Sequence, residues 1–141
     1  MTIAMHTAHE MDDAGEPLRE LAVLGGLAGF PDSERYVLVE LPEAPPLFLL
    51  KSIEQPGLEF VVAPPTMFFP EYAPTVDDAS AERLGLTSAD DALLLVVLTV
   101  GADVASTTAN LLAPIVIHEK TRRAAQVVLS GDWSLRAPLQ G

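Results

Sequence analysis

The chain has 141 residues, of which 49% are hydrophobic, so it has the size and composition of a single folded domain. It contains no cysteine, which excludes disulfides, thiol nucleophiles and cysteine-ligated metal sites. Twenty acidic residues outnumber eight basic residues, and the formal net charge is −12. Because like charges repel, this balance disfavours direct contact with nucleic acid or with an anionic membrane, and it favours a basic protein partner.

The negative charge is concentrated in the first three quarters of the chain. Residues 10–103 carry a net charge of −14, whereas residues 104–141 carry +2. A charge of this size also keeps a protein soluble without any partner, so both explanations of the acidic region stay open.

The amino-terminal residues differ in character from the remainder. They are polar and end at Pro17, so we predict a flexible tail over residues 1–17 and a single domain over residues 18–141. The tail has no basic start and no apolar stretch long enough for a targeting signal. Residues 92–117 carry a single charge, but Pro114 and several polar residues interrupt them, which a membrane helix tolerates poorly. We therefore expect two buried strands there and a soluble cytoplasmic protein.

Short apolar runs bounded by turn residues predict strands in the first half of the chain. These runs cover residues 18–24, 35–41, 47–53 and 58–63, and they are rich in Val, Leu, Phe and Tyr. The next segment, residues 64–76, reads PPTMFFPEYAPTV. Its four prolines prevent ladder pairing, and its aromatic side chains should pack across the barrel or sheet, because leaving them in water is costly.

The second half predicts one short helix followed by more strands. Asp77 or Asp78 can cap a helix over 79–84 that Gly85 ends, and Ser88 can start a single further helical turn. The run 93–100 is apolar without alternation, so both of its faces should be covered. Further strands are predicted over 111–118 with a bend at Pro114, over 125–129 and over 133–135. Seven or eight strands with one or two short helices indicate a mainly β, antiparallel barrel-like or sandwich domain.

The patterns typical of enzymes and metal sites do not assemble in this sequence. His6 and His9 are three residues apart but have no third ligand nearby, and His118 follows an apolar strand as an ordinary strand-end residue. The glycine-rich segment 25–30 is not followed by Lys-Ser or Lys-Thr, so a turn explains it better than a phosphate-binding loop. No serine lies in a G-x-S-x-G motif. We expect no catalytic residue, no metal and no cofactor.

The other polar groups also have structural explanations. The carboxylate pairs 12–13, 77–78 and 90–91 are sequence neighbours, and neighbours do not face each other as acid–base chemistry requires. Thr107, Thr108 and Asn110 suit backbone groups in a turn. The basic residues of 120–123 suit a hairpin tip with local salt bridges, since no aromatic residue accompanies them. An acidic protein-interaction module is the preferred interpretation, with a small-molecule-binding barrel and a carboxylate enzyme as alternatives.

Six consecutive segments resemble the signature segments of the flagellar assembly factor FliW family, in the same order. They are GGLAGF (25–30), LLKSIEQP (49–56), FFPEYAP (68–74), TTANLLAPIVI (107–117), TRRAAQVVL (121–129) and LRAPL (135–139). The resemblance runs from about residue 21 to residue 139. It departs from the family pattern at Ala28, Glu71 and His118, where the family usually has proline, aspartate and asparagine, and near Ala125, where a glycine is common. These departures affect turns more than strands.

The resemblance implies a small antiparallel β-barrel-like domain with one or two short helices, in a cytoplasmic protein that is not an enzyme and holds no cofactor. It also implies two protein partners. One is flagellin, and the other is CsrA, a basic RNA-binding regulator that represses flagellin translation. In the family, binding to CsrA relieves this repression, and free flagellin competes for the same factor.

Two segments are predicted to contact a partner. The first comprises Ser52, Glu54, Gln55 and Pro56, which end a strand and match the S-x-E-[N/Q] position of the family, although an ordinary turn explains them equally well. The second comprises Phe69, Glu71 and Tyr72, where aromatic residues flanked by acids suit the centre and rim of an interface. Core packing is the stronger explanation for Phe68, and it extends to Phe69 as an alternative.

Overall fold

The computed structural model describes residues 19–43 and 47–139. These residues form nine strands: β1 (Arg19–Val23), β2 (Arg35–Glu40), β3 (Phe48–Ser52), β4 (Glu59–Ala63), β5 (Ala92–Thr99), β6 (Thr108–Ala109), β7 (Ile115–His118), β8 (Arg123–Gln126) and β9 (Ala137–Pro138). The same ranges contain one α-helix, α1 (Asp78–Leu84), and three short 3-10 turns, Pro65–Met67, Ala89–Asp91 and Val104–Ser106.

Seven of the strands close into a barrel, which confirms the predicted fold class and decides against a sandwich. The ring runs β4-β3-β2-β1-β8-β7-β5 and closes through pairing of β4 with β5, while β6 and β9 extend the sheet beyond β5. All pairings around the ring are antiparallel except that of β1 with β8. Because strands that alternate in direction cannot close an odd-numbered ring, one parallel pair is required in a ring of seven.

Apolar side chains fill the inside of the barrel. Every ring strand contributes to one buried cluster, with side chains such as Leu21, Tyr36, Leu50, Leu95 and Ile117 that are at most 1% exposed. These residues recur at every second position of their strands, as a sheet with one face turned inward requires.

A second buried cluster covers one outer side of the barrel. Along β5 the alternate residues Leu94 and Val96 face this outer cluster, so both faces of the strand are covered, as its apolar run predicts. Helix α1 and the proline-rich connection 64–76 pack there, the connection through Tyr72 and Val76. The prediction that this irregular segment packs across the barrel is therefore confirmed.

Helix α1 has the predicted cap and end, and it begins at Asp78, one residue before the predicted range of 79–84. Asp77 is its N-cap, and the carboxylate accepts the backbone N–H of Ser80 at 3.1 Å. Gly85 ends the helix in the left-handed conformation, with φ of 70°. The single helical turn predicted after Ser88 is the 3-10 turn Ala89–Asp91, which the Ser88 side chain caps.

The segment before β7 differs from its prediction. One bent strand was expected over 111–118, after a polar turn at 107–110, but β6 lies within that turn and β7 covers only the second half of the range. The side-chain oxygen of Asn110 accepts two backbone N–H groups, at 3.0 and 3.1 Å, and Pro114 has no N–H to donate. Strands β6 and β7 therefore pair with the same edge of β5 but are separated by a turn.

The last two predicted strands, over 125–129 and 133–135, are displaced. Strand β8 begins earlier, because Arg122 adopts a left-handed φ of 67° that ends the β7–β8 turn and lets pairing begin at the next residue. Residues 133–135 are not a strand, and the carbonyl of Ser134 instead accepts the N–H of Leu111 at 2.8 Å. The final strand is β9, and the total of nine exceeds the predicted seven or eight.

The predicted tail, residues 1–17, and with it His6 and His9, lies outside the described residues. Within residues 19–43 and 47–139, no helix has both the length and the hydropathy needed to cross a membrane.

Candidate protein-binding surfaces

The turn between β3 and β4 is shaped by the hydroxyl of Ser52, the first residue of the predicted contact segment. Its Oγ accepts the backbone N–H of Glu54 at 3.2 Å and that of Gln55 at 2.9 Å. It also shares a hydrogen bond of 2.6 Å with the hydroxyl of Ser33, which is fully buried. Ser52 therefore closes the turn on itself and fixes it to the loop between β1 and β2.

Glu54 holds the same turn from the other side. Its Oε1 accepts the backbone N–H of Glu34 at 2.7 Å and that of Arg35 at 3.1 Å. These two donors stabilise the carboxylate form and hold the pKa of Glu54 below its usual value. The N–H of Ile53 donates to the carbonyl of Arg35 at 2.8 Å, so the turn and the β1–β2 loop are joined at several points.

The remaining side chains of this turn face solvent. Gln55 and Pro56 are exposed, and the side-chain amide of Gln55 makes no hydrogen bond with any described residue. Ile53 is 41% exposed, and Phe30 of the neighbouring loop is 38% exposed while its ring contacts Phe60 edge-on at 5.6 Å. We call residues 52–56 together with Phe30 the turn surface, because here two apolar side chains and a free amide are displayed beside acidic groups.

Carboxylates dominate the charge next to the turn surface. The guanidinium of Arg35 pairs with Glu20, with Nε 2.8 Å from Oε2, and this hydrogen bond raises the pKa of Arg35. The positive charge of Arg35 is thus already matched within the protein. Glu34 and Glu54 remain as exposed carboxylates, although both accept backbone N–H groups.

The second predicted segment is a tight turn inside the proline-rich connection. The N–H of Tyr72 donates to the carbonyl of Phe69 at 2.9 Å, which leaves Pro70 and Glu71 exposed at the tip. Proline is favoured at this second turn position because its φ is already fixed. Tyr72 itself returns to the core with 4% exposure, its hydroxyl donates to the carbonyl of Leu111 at 2.6 Å, and burial raises its pKa.

An open depression of 490 Å³ lies beside this tight turn, and we call it the aromatic depression. It is lined by residues 68–72 with Leu111 and Trp133. The rings of Tyr72 and Trp133 meet at 89° with centroids 4.9 Å apart. Trp133 and Leu111 are not among the predicted site residues, because both are distant in sequence from the proline-rich connection. The signal that could have found Trp133 is the single tryptophan of the sequence, placed directly after a Ser-Gly-Asp turn and between two polar residues.

The structure does not combine the two predicted segments into one site. The turn surface is built on the β1–β2 and β3–β4 connections, whereas the aromatic depression is built on the connection after β4 and on the segments around Leu111 and Trp133. Of the seven predicted residues, Ser52, Glu54 and Tyr72 are committed to internal hydrogen bonds. The other four, Gln55, Pro56, Phe69 and Glu71, are accessible in whole or in part, and the carboxylate of Glu54 is exposed despite its hydrogen bonds.

The glycine-rich segment 25–30 is a structural turn, as the sequence indicates. The N–H of Gly25 donates to the carboxylate of Glu34 at 3.1 Å, and the N–H of Ala28 donates to the side-chain oxygen of Gln126 at 2.7 Å. Backbone donors that a phosphate-binding loop would offer to a ligand are thus used within the protein.

The other groups considered for chemistry also have structural roles. Asp77 accepts both the N–H and the hydroxyl of Ser80, which lowers its pKa. The Nδ1 of His118 accepts the N–H of Lys120 at 3.2 Å within the β7–β8 turn, and the Lys120 ammonium lies 3.4 Å from Asp91. In the part of the chain that the structure describes, no three His, Asp or Glu side chains are grouped to hold a metal ion.

Comparison with known proteins identifies relatives over almost the whole chain. Residues 5–139 match the family model described as FliW protein. The chain is 37% identical over 116 residues to the flagellar assembly factor FliW of Shouchella clausii, an alignment that covers 82% of this chain and 80% of the relative. It is 41% identical over 105 residues to the flagellar assembly factor FliW of Geobacillus kaustophilus, covering 74% and 72%.

A solved structure has the same fold. The crystal structure of a flagellar assembly factor FliW superposes with a TM-score of 0.82 at 33% sequence identity, covering 100% of this chain and 98% of that one. A match of this extent in both sequence and structure confirms the resemblance carried by the six sequence segments, and the chain belongs to the FliW family.

Proposed function

We propose that this protein is a cytoplasmic flagellar assembly factor that acts by binding other proteins and not by catalysis. Its partners are CsrA, whose repression of flagellin translation it antagonises, and flagellin, which competes for it. The observation that carries this proposal is membership of the FliW family over residues 5–139, together with relatives named as flagellar assembly factors. The protein works as a partner switch that couples the amount of free flagellin to flagellin synthesis.

The charge distribution supports a basic partner. Residues 10–103 carry a net charge of −14. Beside the turn surface, the positive charge of Arg35 is neutralised by its ion pair with Glu20. Such a field accelerates encounter with a cationic protein and makes the association rate fall as salt rises. The same field repels phosphate, so the protein acts on the RNA-binding regulator and not on RNA itself.

The geometry supports two separate roles for residues of the turn surface, one in fixing its conformation and one in contacting a partner. Ser52 and Glu54 hold the backbone in one conformation, which reduces the entropy lost when a partner binds. Gln55 and Pro56 are the residues that this rigid turn displays, and Ile53 adds apolar area beside them. In the second predicted segment, Phe69 and Glu71 are the contact residues, and buried Tyr72 holds the turn that carries them.

The filled interior weighs against the alternative of a small-molecule-binding barrel. Such a protein needs a cavity lined by a few convergent polar groups. Here the cluster inside the ring consists of closely packed apolar side chains from every ring strand, among them Leu38, Leu50 and Ile115. The barrel therefore serves as a rigid support for surface loops.

A single substitution tests the assignment of the turn surface. We expect Gln55→Lys to weaken binding to purified CsrA about tenfold, measured by calorimetry, because a like charge is brought to a surface that meets a basic protein. The melting temperature should stay at the value of the unaltered protein, since Gln55 is exposed and makes no internal side-chain hydrogen bond among the described residues.

The matched control adds the same charge elsewhere. Ala79 is an exposed residue of α1, so Ala79→Lys changes the net charge equally without touching the turn surface. Equal losses of affinity in the two variants would mean that net charge alone matters, and full affinity of Gln55→Lys would remove the turn surface from the interface. Failure of the unaltered protein to capture CsrA or flagellin would contradict the proposed function itself.

A further inference from the structure

We propose that the aromatic depression binds the side chain of an arginine presented by the protein partner. This inference rests on the proposed function, because it assigns one contact within a complex that the FliW family is expected to form. It adds a binding site and the chemistry of its occupant, built partly from Trp133 and Leu111.

The walls of the depression are fixed before any partner arrives. The rings of Tyr72 and Trp133 stand at 89° to each other and form a corner, in which buried Tyr72 is the supporting ring and half-buried Trp133 is the ring that a partner can reach. The backbone of Leu111 ties both walls together, because its carbonyl accepts the Tyr72 hydroxyl at 2.6 Å and its N–H donates to the carbonyl of Ser134 at 2.8 Å. A partner side chain therefore enters a preformed corner, which lowers the entropic cost of binding.

The chemistry of the depression favours a cation with a flat, partly apolar surface. Aromatic rings carry negative charge on their faces and attract cations, most strongly when the ring is tryptophan. Glu71 lines the same depression and is exposed, so its carboxylate is available to a guanidinium at the rim. The guanidinium of arginine stacks on rings and pairs with carboxylates in a fork, whereas the ammonium of lysine is compact and strongly hydrated.

The surrounding charge is compatible with this occupant. Asp132 precedes Trp133 in the chain and adds a second exposed carboxylate to that segment, while Arg136, three residues further on, is the nearest basic residue in sequence. With a formal net charge of −12, the protein as a whole also attracts a cationic group. A purely apolar occupant would remove water from the Glu71 carboxylate without pairing its charge, and this desolvation costs free energy.

The full chain contains its own reporter for this site, because Trp133 is its only tryptophan. We would titrate N-acetyl-arginine amide into the full-length protein at constant ionic strength and follow tryptophan fluorescence. The neutral isostere N-acetyl-citrulline amide serves as the matched probe. We expect a saturable fluorescence change with the arginine amide, at least tenfold weaker binding of the citrulline amide, and at least threefold weaker binding of the arginine amide to Glu71→Gln.

Equal affinity for the two amides would overturn the proposal, because the depression would then accept any side chain of that shape. The absence of a saturable fluorescence change with the arginine amide would also overturn it. Glu71→Gln keeps this test decisive, since it alters an exposed side chain and leaves the packing of the two rings intact. An unchanged affinity in that variant would exclude the carboxylate from the site.

The second arm uses the partners themselves. We expect Trp133→Leu to weaken calorimetric binding to whichever of CsrA and flagellin carries the arginine at least tenfold, and Trp133→Phe to restore most of that loss because a ring is restored. If the unaltered protein binds a partner and the variants Trp133→Leu and Glu71→Gln bind it with the same affinity, the arginine site is overturned. The proposed function is not affected by that result. Unaltered protein that binds neither partner would contradict the proposed function, and the amide titration then decides the arginine site by itself.

Discussion

The turn surface and the aromatic depression are held in shape by different forces. At the turn surface, Ser52 and Glu54 accept backbone N–H groups at the edge of solvent, and the apolar side chains of Ile53 and Phe30 are 41% and 38% exposed. At the aromatic depression, Tyr72 is 4% exposed and packs on Trp133, and one buried hydrogen bond fixes its hydroxyl. In both regions some side chains fix the local conformation and a neighbouring side chain is exposed, Gln55 at the turn surface and Glu71 at the aromatic depression.

Because of this difference, the aromatic depression should affect the global stability of the domain, and the turn surface should affect local order. Burial of a large aromatic side chain contributes to the free energy of unfolding of the whole domain. Hydrogen bonds at an exposed turn contribute little to that quantity, because water replaces them, but they decide which backbone conformation the turn adopts. Substitutions in the two regions should therefore have effects that differ in size and in the property that changes.

The largest difference is expected between Tyr72→Ala and Gln55→Ala. Tyr72→Ala should lower the free energy of unfolding by about 3–5 kcal/mol, as removal of a large buried side chain does. Gln55→Ala should change it by less than about 0.5 kcal/mol, because the side chain is exposed. Urea denaturation of the two variants measures both values.

An intermediate variant separates the ring of Tyr72 from its hydroxyl. Tyr72→Phe keeps the packing on Trp133 but leaves the carbonyl of Leu111 without its donor. A loss of about 1–3 kcal/mol is expected for the orphaned buried group. If Tyr72→Ala costs no more than Tyr72→Phe, the ring does not stabilise the domain and the contrast with the turn surface fails.

A smaller difference is expected between two glycines near the turn surface, both in the left-handed region. Gly26 has φ of 70°, and an added Cβ would lie 2.8 Å from the Cα of Pro31, so the backbone itself must move. Gly57 has φ of 89° with no heavy atom within 4 Å of that position. Gly26→Ala should therefore cost more than about 2 kcal/mol, and Gly57→Ala about 1 kcal/mol, the strain of the backbone conformation alone.

The same denaturation experiment decides this comparison. Equal losses for Gly26→Ala and Gly57→Ala would mean that backbone conformation, and not the close approach of Pro31, makes glycine necessary in the 25–30 turn. Because Gly57 lies in the β3–β4 turn itself, its small expected loss also checks that this turn contributes little to global stability.

Much of the fold follows from local sequence. Asp77 and Gly85 bound α1 because a cap and a left-handed glycine act within a few residues, and the unbroken apolar run of β5 indicates burial on both faces. The corner formed by Tyr72 and Trp133 could not be predicted, because the two residues are brought together only by closure of the barrel and its outer cluster.

The roles of Ser52 and Glu54 were hidden for the same reason. Both were predicted to contact a partner because they lie at a strand end, are polar and match the family pattern, and that contact stays a prediction. The hydrogen bonds that their side-chain oxygens make with Ser33, Glu34 and Arg35, about twenty residues away in sequence, could not be predicted. Polar residues at a strand end indicate exposure. They do not reveal which of them another loop engages.

The smallest expected effect concerns Glu54, and it appears in local order and not in global stability. The N–H groups of Glu34 and Arg35 hold the pKa of Glu54 below its usual value, so the folded protein favours the carboxylate form. The contribution of this carboxylate is complete above the usual carboxyl range and is lost as pH falls through the lowered pKa. The turn surface should therefore loosen from the β1–β2 loop in acid while the aromatic depression stays ordered.

Glu54→Gln tests this expectation, because the amide oxygen can still accept hydrogen bonds but carries no charge and does not titrate. In the unaltered protein, the amide protons of Glu34 and Arg35 should shift together with pH, and their protection from exchange, taken relative to the intrinsic exchange rate at each pH, should fall in acid. In Glu54→Gln, exchange should be faster at neutral pH, and the acid dependence of these two amides should flatten. The amide of Ser80 serves as the internal control, because it donates to the carboxylate of Asp77, whose pKa is also lowered, and its response to acid should persist in the variant. An unchanged acid response at Glu34 and Arg35 would assign the titration to another carboxylate and would remove the charge of Glu54 as the force that orders the turn surface.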